Sequence, residues 1–540
     1  MVTKSWEVLV HKKQAEDAAK IPPEWRIPEE LIEISETSGK NVLDIPRQSG
    51  ILSARQLEIT ENYDATDLLG KIHNQQLSAY EVTEAFCIRA AIAQQVTRCL
   101  TEIFFDRALQ RAKDLDEILS KTGKLAGPLH GLPISFKDCF NIVGVPSTIG
   151  FTSFIEHGAL SSNSPAVQVL LNLGAIPYVK TNVPQTMMVS CGLTQLRIRP
   201  DTQPSPIESY RWRVDWGEGA LIAMRGSVLG VGTDIAGSIR IPAICNGIYS
   251  LRPSADRIPY GGQTSSARGG LVGIKACAGP MATSVRVLEL FMRLMTNADP
   301  WQFDSSALFS PWRTVVLKPT LRFGLIQEDS HFPLHPPVLR TLTRATEKLQ
   351  AAGNEIVPLE TFLIRDICTL AFRMFSMDPA RTPFQHIAAS GEPTIPALAS
   401  TSLDDGYMPD GYAPLTLEGL YDLNEKRNFF KEDFRNLIMQ AKVDAFVMPG
   451  YQGTAQPHDI FGFVPYTVLW NVMDYPSCII PYGKASKSAD KPFIRNVNYK
   501  PPYDADDIEG APCCVQLIGR NMHDEELLKV AELVSRILRL

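Results

Sequence analysis

Gly226-Ser227-Val228-Leu229-Gly230-Val231-Gly232-Thr233-Asp234-Ile235-Ala236-Gly237-Ser238-Ile239-Arg240-Ile241-Pro242 is the stretch on which the reading of this chain turns. Small residues ahead of Ser238 let the backbone turn sharply and bring its N–H groups close to a bound carbonyl. A nucleophile with an oxyanion hole needs that arrangement, because the donors must already point where negative charge develops. Taken alone, the same stretch also fits a Gly-rich strand-to-helix turn with an incidental serine.

Upstream lies Gly127-Pro128-Leu129-His130-Gly131-Leu132-Pro133-Ile134-Ser135-Phe136-Lys137-Asp138. Lys137 closes an apolar run. Burial there lowers a lysine's pKa and leaves the amine neutral enough to accept a proton. Most lysines at strand ends point into water instead, so this segment is also ambiguous by itself.

Around these two stretches, short apolar runs predict strands at 132–136, 175–179, 323–326, 444–448 and 513–518. Helical segments separate them. The pattern predicts an α/β fold, layered, with a central mixed, largely parallel sheet covered by helices. Ser78-Ala79-Tyr80-Glu81 has capping-box spacing and opens a helix through Val82, Phe86, Ala90 and Ala93. A charged helical stretch follows over 107–121, with Gly123 as its stop, and a last amphipathic helix is expected near 525–538. Residues 1–60 read as a helical N-terminal extension running into coil punctuated by Pro22-Pro23, Pro28 and Pro46.

The 540 residues are 44% hydrophobic and 21% charged, a composition suited to a soluble enzyme with a large core. The net charge of −6 offers no basic stripe for a phosphate backbone, which argues against nucleic acid as a partner. Ten cysteines are scattered without CxxC or zinc-finger spacing. The N-terminal residues lack the apolar stretch of a signal peptide, and no apolar run reaches a membrane span of about 18 residues. Reduced thiols, no membrane and a cytoplasmic setting are the expectations. Phe332-Pro333 disfavours a helix aligning His331 with His335, so both are expected to be ordinary loop residues and not metal ligands. No Gly-x-Ser-x-Gly elbow or P-loop is present, and Gly217-x-Gly219 lacks the third glycine of a dinucleotide fingerprint.

Taken together, the Gly127–Asp138 block, Lys180-Thr181-Asn182-Val183-Pro184-Gln185 and the Gly232–Pro242 block resemble the amidase-signature family in residues, order and separation. The resemblance runs from about residue 60 onward and includes Gly510-Ala511-Pro512 and Gln516-Leu517-Ile518-Gly519-Arg520. Lys4-Ser5-Trp6-Glu7, Ile21-Pro22-Pro23-Glu24-Trp25 and Ser49-Gly50-Ile51-Leu52-Ser53 are similar to the fungal acetamidase-like branch. The resemblance implies a catalytic domain over 61–540 and hydrolysis of a carboxamide, a small primary amide, through a Ser–cis-Ser–Lys triad. It makes Ser238 the acyl-accepting nucleophile and Lys137 the base. Backbone N–H groups of Ile235, Ala236, Gly237 and Ser238 would hold the oxyanion, and Met187 matches a substrate-contacting position. Ammonia leaves, water releases the acid, and no cofactor or metal is implied. Relatives are often dimers, so a homodimer is open.

One block departs from the pattern. The family's bridging serine lies in Gly-Gly-Ser-Ser-Gly-Gly-Glu-Gly-Ala, whereas Trp212-Arg213-Val214-Asp215-Trp216-Gly217-Glu218-Gly219-Ala220 stands here. Counting back from Glu218 puts Val214 at the bridging position. Valine carries no proton to relay, and nothing in the spacing of Ser205 or Ser209 makes either a substitute. Lowered activity is expected, and the alternative is an amidase-fold binding or scaffold protein. Across 196–216 the match stops and resumes at sharp borders with length nearly kept, the pattern of a local reading-frame or splice-junction error. Three-frame translation of the underlying DNA tests whether the segment is genuine or such an error: absence of a serine followed by Gly-Gly-Glu in every frame counts against the error.

Overall fold

The computed structural model describes residues 6–32, 42–187, 217–270, 273–359, 363–395, 398, 416–457 and 460–540. Val214, Ser205 and Ser209, with the rest of the segment that departs from the pattern, lie outside the described residues.

Among the described residues eleven strands form one sheet. They are β1 (Leu100–Ile103), β2 (Pro133–Lys137), β3 (Ile176–Thr181), β4 (Leu229–Asp234), β5 (Tyr249–Arg252) and β6 (Cys277–Ala282). β7 (Arg322–Leu325), β8 (Glu355–Pro358), β9 (Ala445–Met448), β10 (Ser477–Lys484) and β11 (Pro512–Ile518) complete it. The spatial order is β1-β3-β2-β4-β6-β5-β10-β11-β9-β7-β8.

The layered α/β fold and the mixed sheet agree with the sequence expectation, but the parallel share is smaller. β2 pairs in parallel with β3 and β4, and β7 with β8 and β9; the other six of the ten pairings are antiparallel. The reason is in the connections. β5 and β6, and β10 and β11, are sequential neighbours that reverse direction, so no crossover helix returns the chain to its starting edge.

β3, β4 and β6 are buried at every position. Side chains alternate between faces along a strand, so uninterrupted burial means that both faces are covered. The covering includes Ala79–Thr97, Phe105–Thr122, Val285–Thr296, Pro336–Ala351 and Asp524–Arg539. Ser78 caps the first of these by accepting from the Glu81 N–H, and Gly123 ends the second in a left-handed conformation at φ 67°. The start and the stop both fall where the sequence placed them.

The N-terminal helix Trp6–Ala19 is tied to the sheet edge by a buried lysine. Lys13 Nζ donates to Thr101 O at 2.9 Å and pairs with Glu102 at 2.8 Å, both residues of β1. Ile21, Ile27, Ile45, Leu52 and Ile59 join the same hydrophobic core as the sheet. No helix of the described residues is long and apolar enough to cross a membrane.

Candidate active site

Lys137 is the last residue of β2 and lies opposite Thr181 of β3. β2 also runs parallel to β4, so the C-terminal ends of both strands open on one edge of the sheet. Loops leaving such an edge converge, which is why ligands bind there in α/β folds. β4 ends at Asp234, and the helix Arg240–Asn246 begins just beyond a tight turn. Ser238 sits in that turn, partly buried.

One carboxylate organises the turn. Asp234 Oδ1 accepts from the Gly237 N–H at 2.8 Å, and Oδ2 from the Ile239 N–H at 3.2 Å. The fully buried Arg240 donates to both oxygens at 3.0 Å, and Asn471 Nδ2 adds a donor at 2.9 Å. Arg240 also reaches Asn471 Oδ1 at 2.6 Å and Gln516 Oε1 at 3.1 Å. Burial alone would raise the Asp234 pKa; the Arg240 charge and these donors outweigh it and hold the group at about 2.

Gly237 is required here. Its φ is +132°, and an added Cβ would stand 2.4 Å from Thr467 Oγ1. Thr467, on the helix Pro465–Met473, donates to Ala236 O at 2.7 Å and closes the turn from its other side. The Gly237 N–H points at Asp234, which narrows the expected oxyanion donors. The N–H groups of Ile235, Ala236 and Ser238 have no partner among the described residues.

Lys137 Nζ donates to Thr233 Oγ1 at 2.9 Å and, more weakly, toward Thr233 O at 3.4 Å. Desolvation lowers its pKa from the usual lysine value, partly opposed by Cys139, Asp234 and Glu218. Glu218, on the helix Gly217–Ala223, is wedged beneath it. Its carboxyl meets Ser135 Oγ of β2 and accepts from Thr181 Oγ1 of β3 at 2.7 Å. Ser135 Oγ lies 2.8 Å from Ser227 Oγ, which donates to Leu229 O at 3.0 Å. Gly230 of β4 leaves the room for this carboxyl, since a Cβ would sit 1.9 Å from Glu218 Oε1. Desolvation raises the Glu218 pKa to about 7 against the pull of Ser135, Thr181 and Lys137. Lysine and glutamate are thus both pushed toward their neutral forms.

Met187 ends the short turn Gln185–Met187 beyond β3, on the same edge of the sheet, and packs partly buried against the core. Thr186 and Met187 both have positive φ, 69° and 57°. Gln185 fastens this turn to a distant segment, accepting from the Ile395 N–H at 3.1 Å and donating to Pro393 O at 3.2 Å. His331 and His335 part company: His331 Nδ1 pairs with Asp329 at 2.9 Å, while the buried His335 sets Nε2 2.9 Å from Pro501 O.

A family model described as Amidase matches residues 81–528. The chain belongs to the amidase family. An amidase of Gibberella moniliformis (strain M3125 / FGSC 7600) is 36% identical over the full length of both chains. An acetamidase of Emericella nidulans is 35% identical, covering 99% of this chain and 98% of its own. Among solved structures, a fatty acid amide hydrolase superposes with a TM-score of 0.87 at 30% identity, covering 100% of this chain and 96% of that one.

In this amidase the edge of the sheet gathers Lys137, Ser238 and Ile235-Ala236-Gly237 through β2 and β4, and carries Met187 beyond β3. Four residues were given no role by the sequence reading: Thr233, Asp234, Arg240 and Glu218. Asp234 and Arg240 bracket the Ser238 turn within the quoted motif, so an opposite-charge pair six residues apart was a visible signal. Thr233 and Glu218 gave none, because their partners arrive from other strands.

Proposed function

We propose that this amidase hydrolyses a small primary carboxamide through an acyl-Ser238 intermediate, with Lys137 as the base, and does so at a lowered rate. The observation that carries the reading is the lysine: Lys137 is drawn toward neutrality at the end of β2, beside the strand that delivers the Ser238 turn. A neutral amine can take the serine proton, which a solvated ammonium cannot. Ser238 Oγ then bonds the carbonyl carbon, and the oxyanion faces the N–H groups of Ile235, Ala236 and Ser238. The lysine ammonium returns its proton to the departing nitrogen, which leaves as ammonia. Water repeats the sequence on the ester and frees the acid. Met187 borders the amide pocket. The similarity to an acetamidase supports a small acyl group.

The lowered rate follows from Val214, which leaves no hydroxyl at the bridging position. The same residue favours a second reading, a protein that keeps the amidase fold for binding alone. Nine cysteines of the described residues carry free thiols, which supports a reducing, cytoplasmic setting. A homodimer is retained as the proposed assembly on family resemblance alone.

The test is ammonia release from acetamide and benzamide, with fluorophosphonate labelling of Ser238 and Ser238→Ala as control. Labelling with slow turnover is the expected result. A folded protein that neither labels nor turns over belongs to the binding reading.

A further inference from the structure

We infer that Thr233 is the positioning residue of Lys137, holding its amine from β4 through a side-chain and a main-chain oxygen. The inference rests on the proposed role of Lys137 and deepens it.

Two oxygens of one residue flank the lysine nitrogen: Thr233 Oγ1 at 2.9 Å and Thr233 O at 3.4 Å. A neutral amine has two N–H groups and one lone pair. With both N–H groups directed at Thr233, the lone pair has a fixed direction, away from β4's backbone. A hydroxyl also serves either protonation state. It accepts an N–H from the ammonium and from the neutral amine alike, so the nitrogen does not stand buried and unpaired while its lone pair stays free for the serine proton.

Thr233 is itself held. It occupies the penultimate position of β4, is 6% exposed, and precedes the Asp234 that clasps the Ser238 turn. Cys139 Sγ lies 3.9 Å from its hydroxyl. A shift of Thr233 therefore moves the lysine and the nucleophile turn together. Among the described residues, the titratable groups acting on Lys137 are Glu218 from the helix Gly217–Ala223, Asp234 from β4 and Cys139 from the loop after β2. Asp138 and Lys180 pair with one another at 3.0 Å.

The test compares the full chain with Thr233→Val and Thr233→Ser, reading the rate of fluorophosphonate labelling of Ser238 against pH. Losing an acceptor destabilises the ammonium, so Thr233→Val moves the rising limb of the profile to lower pH. Its plateau falls on the order of 10-fold, the scale of one hydrogen bond to a charged or reacting group. Thr233→Ser restores limb and plateau. A purely structural role would reduce the folded fraction and leave the limb in place. A folded Thr233→Val with an unmoved limb and an unchanged plateau overturns the inference while leaving the Ser238–Lys137 reading intact. Absence of labelling in the unaltered chain overturns that reading, and the role of Thr233 with it. Should Thr233→Val fail to fold, Thr233→Ala takes its place beside Thr233→Ser, which keeps the hydroxyl, and a limb moved as far in Thr233→Ser as in Thr233→Ala contradicts the assignment.

Discussion

Glu218 is a carboxyl group held where its charge is unwelcome. Its pKa of about 7 in the folded chain exceeds the ordinary 4.5, so the folded state binds the proton more tightly across that interval. The sign follows: the contribution to stability is complete below the unfolded value and is lost as pH rises through the folded one. Stability is expected to fall between about pH 5 and 8 by on the order of 3 kcal/mol from this group. Urea unfolding across that range measures it, and Glu218→Gln should flatten the slope. Val214 supports a second expectation. Positioned proton transfer is worth about 10²–10⁴-fold, so Val214→Ser should raise ammonia release from acetamide by on the order of 10²-fold. A folded Val214→Ser with no gain would clear Val214 of limiting the rate. Lys137 and Ser238 were singled out in the sequence because each sits in a dense local motif. Thr233 and Glu218 were not: their partners lie 96 and 37 residues away and meet them only through the pairing of β2, β3 and β4 and the helix packed on it.

At the scale of elements, Asp234 joins four pieces of structure. Its carboxylate reaches the helix Arg240–Asn246 through Arg240 and the helix Pro465–Met473 through Asn471, and Arg240 extends the contact to Gln516 of β11. The folded pKa of about 2 lies below the ordinary 3.8, so this stabilisation is full above the unfolded value and disappears as pH falls through the folded one. Acid unfolding should therefore lose on the order of 2 kcal/mol from this group between about pH 4 and 2. Asp234→Asn leaves Arg240 buried without an anion and should lower stability by about 3–5 kcal/mol at neutral pH. A melting point unchanged in that variant would contradict the clasp. Strands β2, β3, β7, β9 and β11 were legible as apolar runs between Gly and Pro turns. β6 and β10 were not, because Gly279-Pro280 and Pro481 interrupt them, and proline inside a run argues against a strand. β1, β5 and β8 are four-residue strands that, unlike the equally short β7 and β9, mix polar residues into the run and show neither an apolar block nor a clear alternation.

For the whole molecule, the first sixty residues are not an appendage in packing terms. Ile21, Ile27, Ile45, Leu52 and Ile59 are all buried in the common core. Each such side chain is worth roughly 1.5–3 kcal/mol, and together they rival the total stability of a domain, about 5–15 kcal/mol. A chain begun at residue 61 is expected to lose its near-ultraviolet circular dichroism and its cooperative thermal transition. Retention of both would show that the extension only decorates the fold. The sheet order has a different consequence, one of timing. β11, last of the eleven strands in sequence, stands between β10 and β9 and is the seam between the two sides of the sheet. During synthesis, domains form from the N-terminal side first. Here the flank β9-β7-β8 has nothing to dock on until residue 518 has left the ribosome. Gln516, which steadies the arginine behind the Ser238 turn, arrives on that same strand. A nascent chain thus carries the β9 and β10 edges unpaired from the synthesis of β10 until β11 emerges, so a chain ended before residue 512 is expected to leave both edges open.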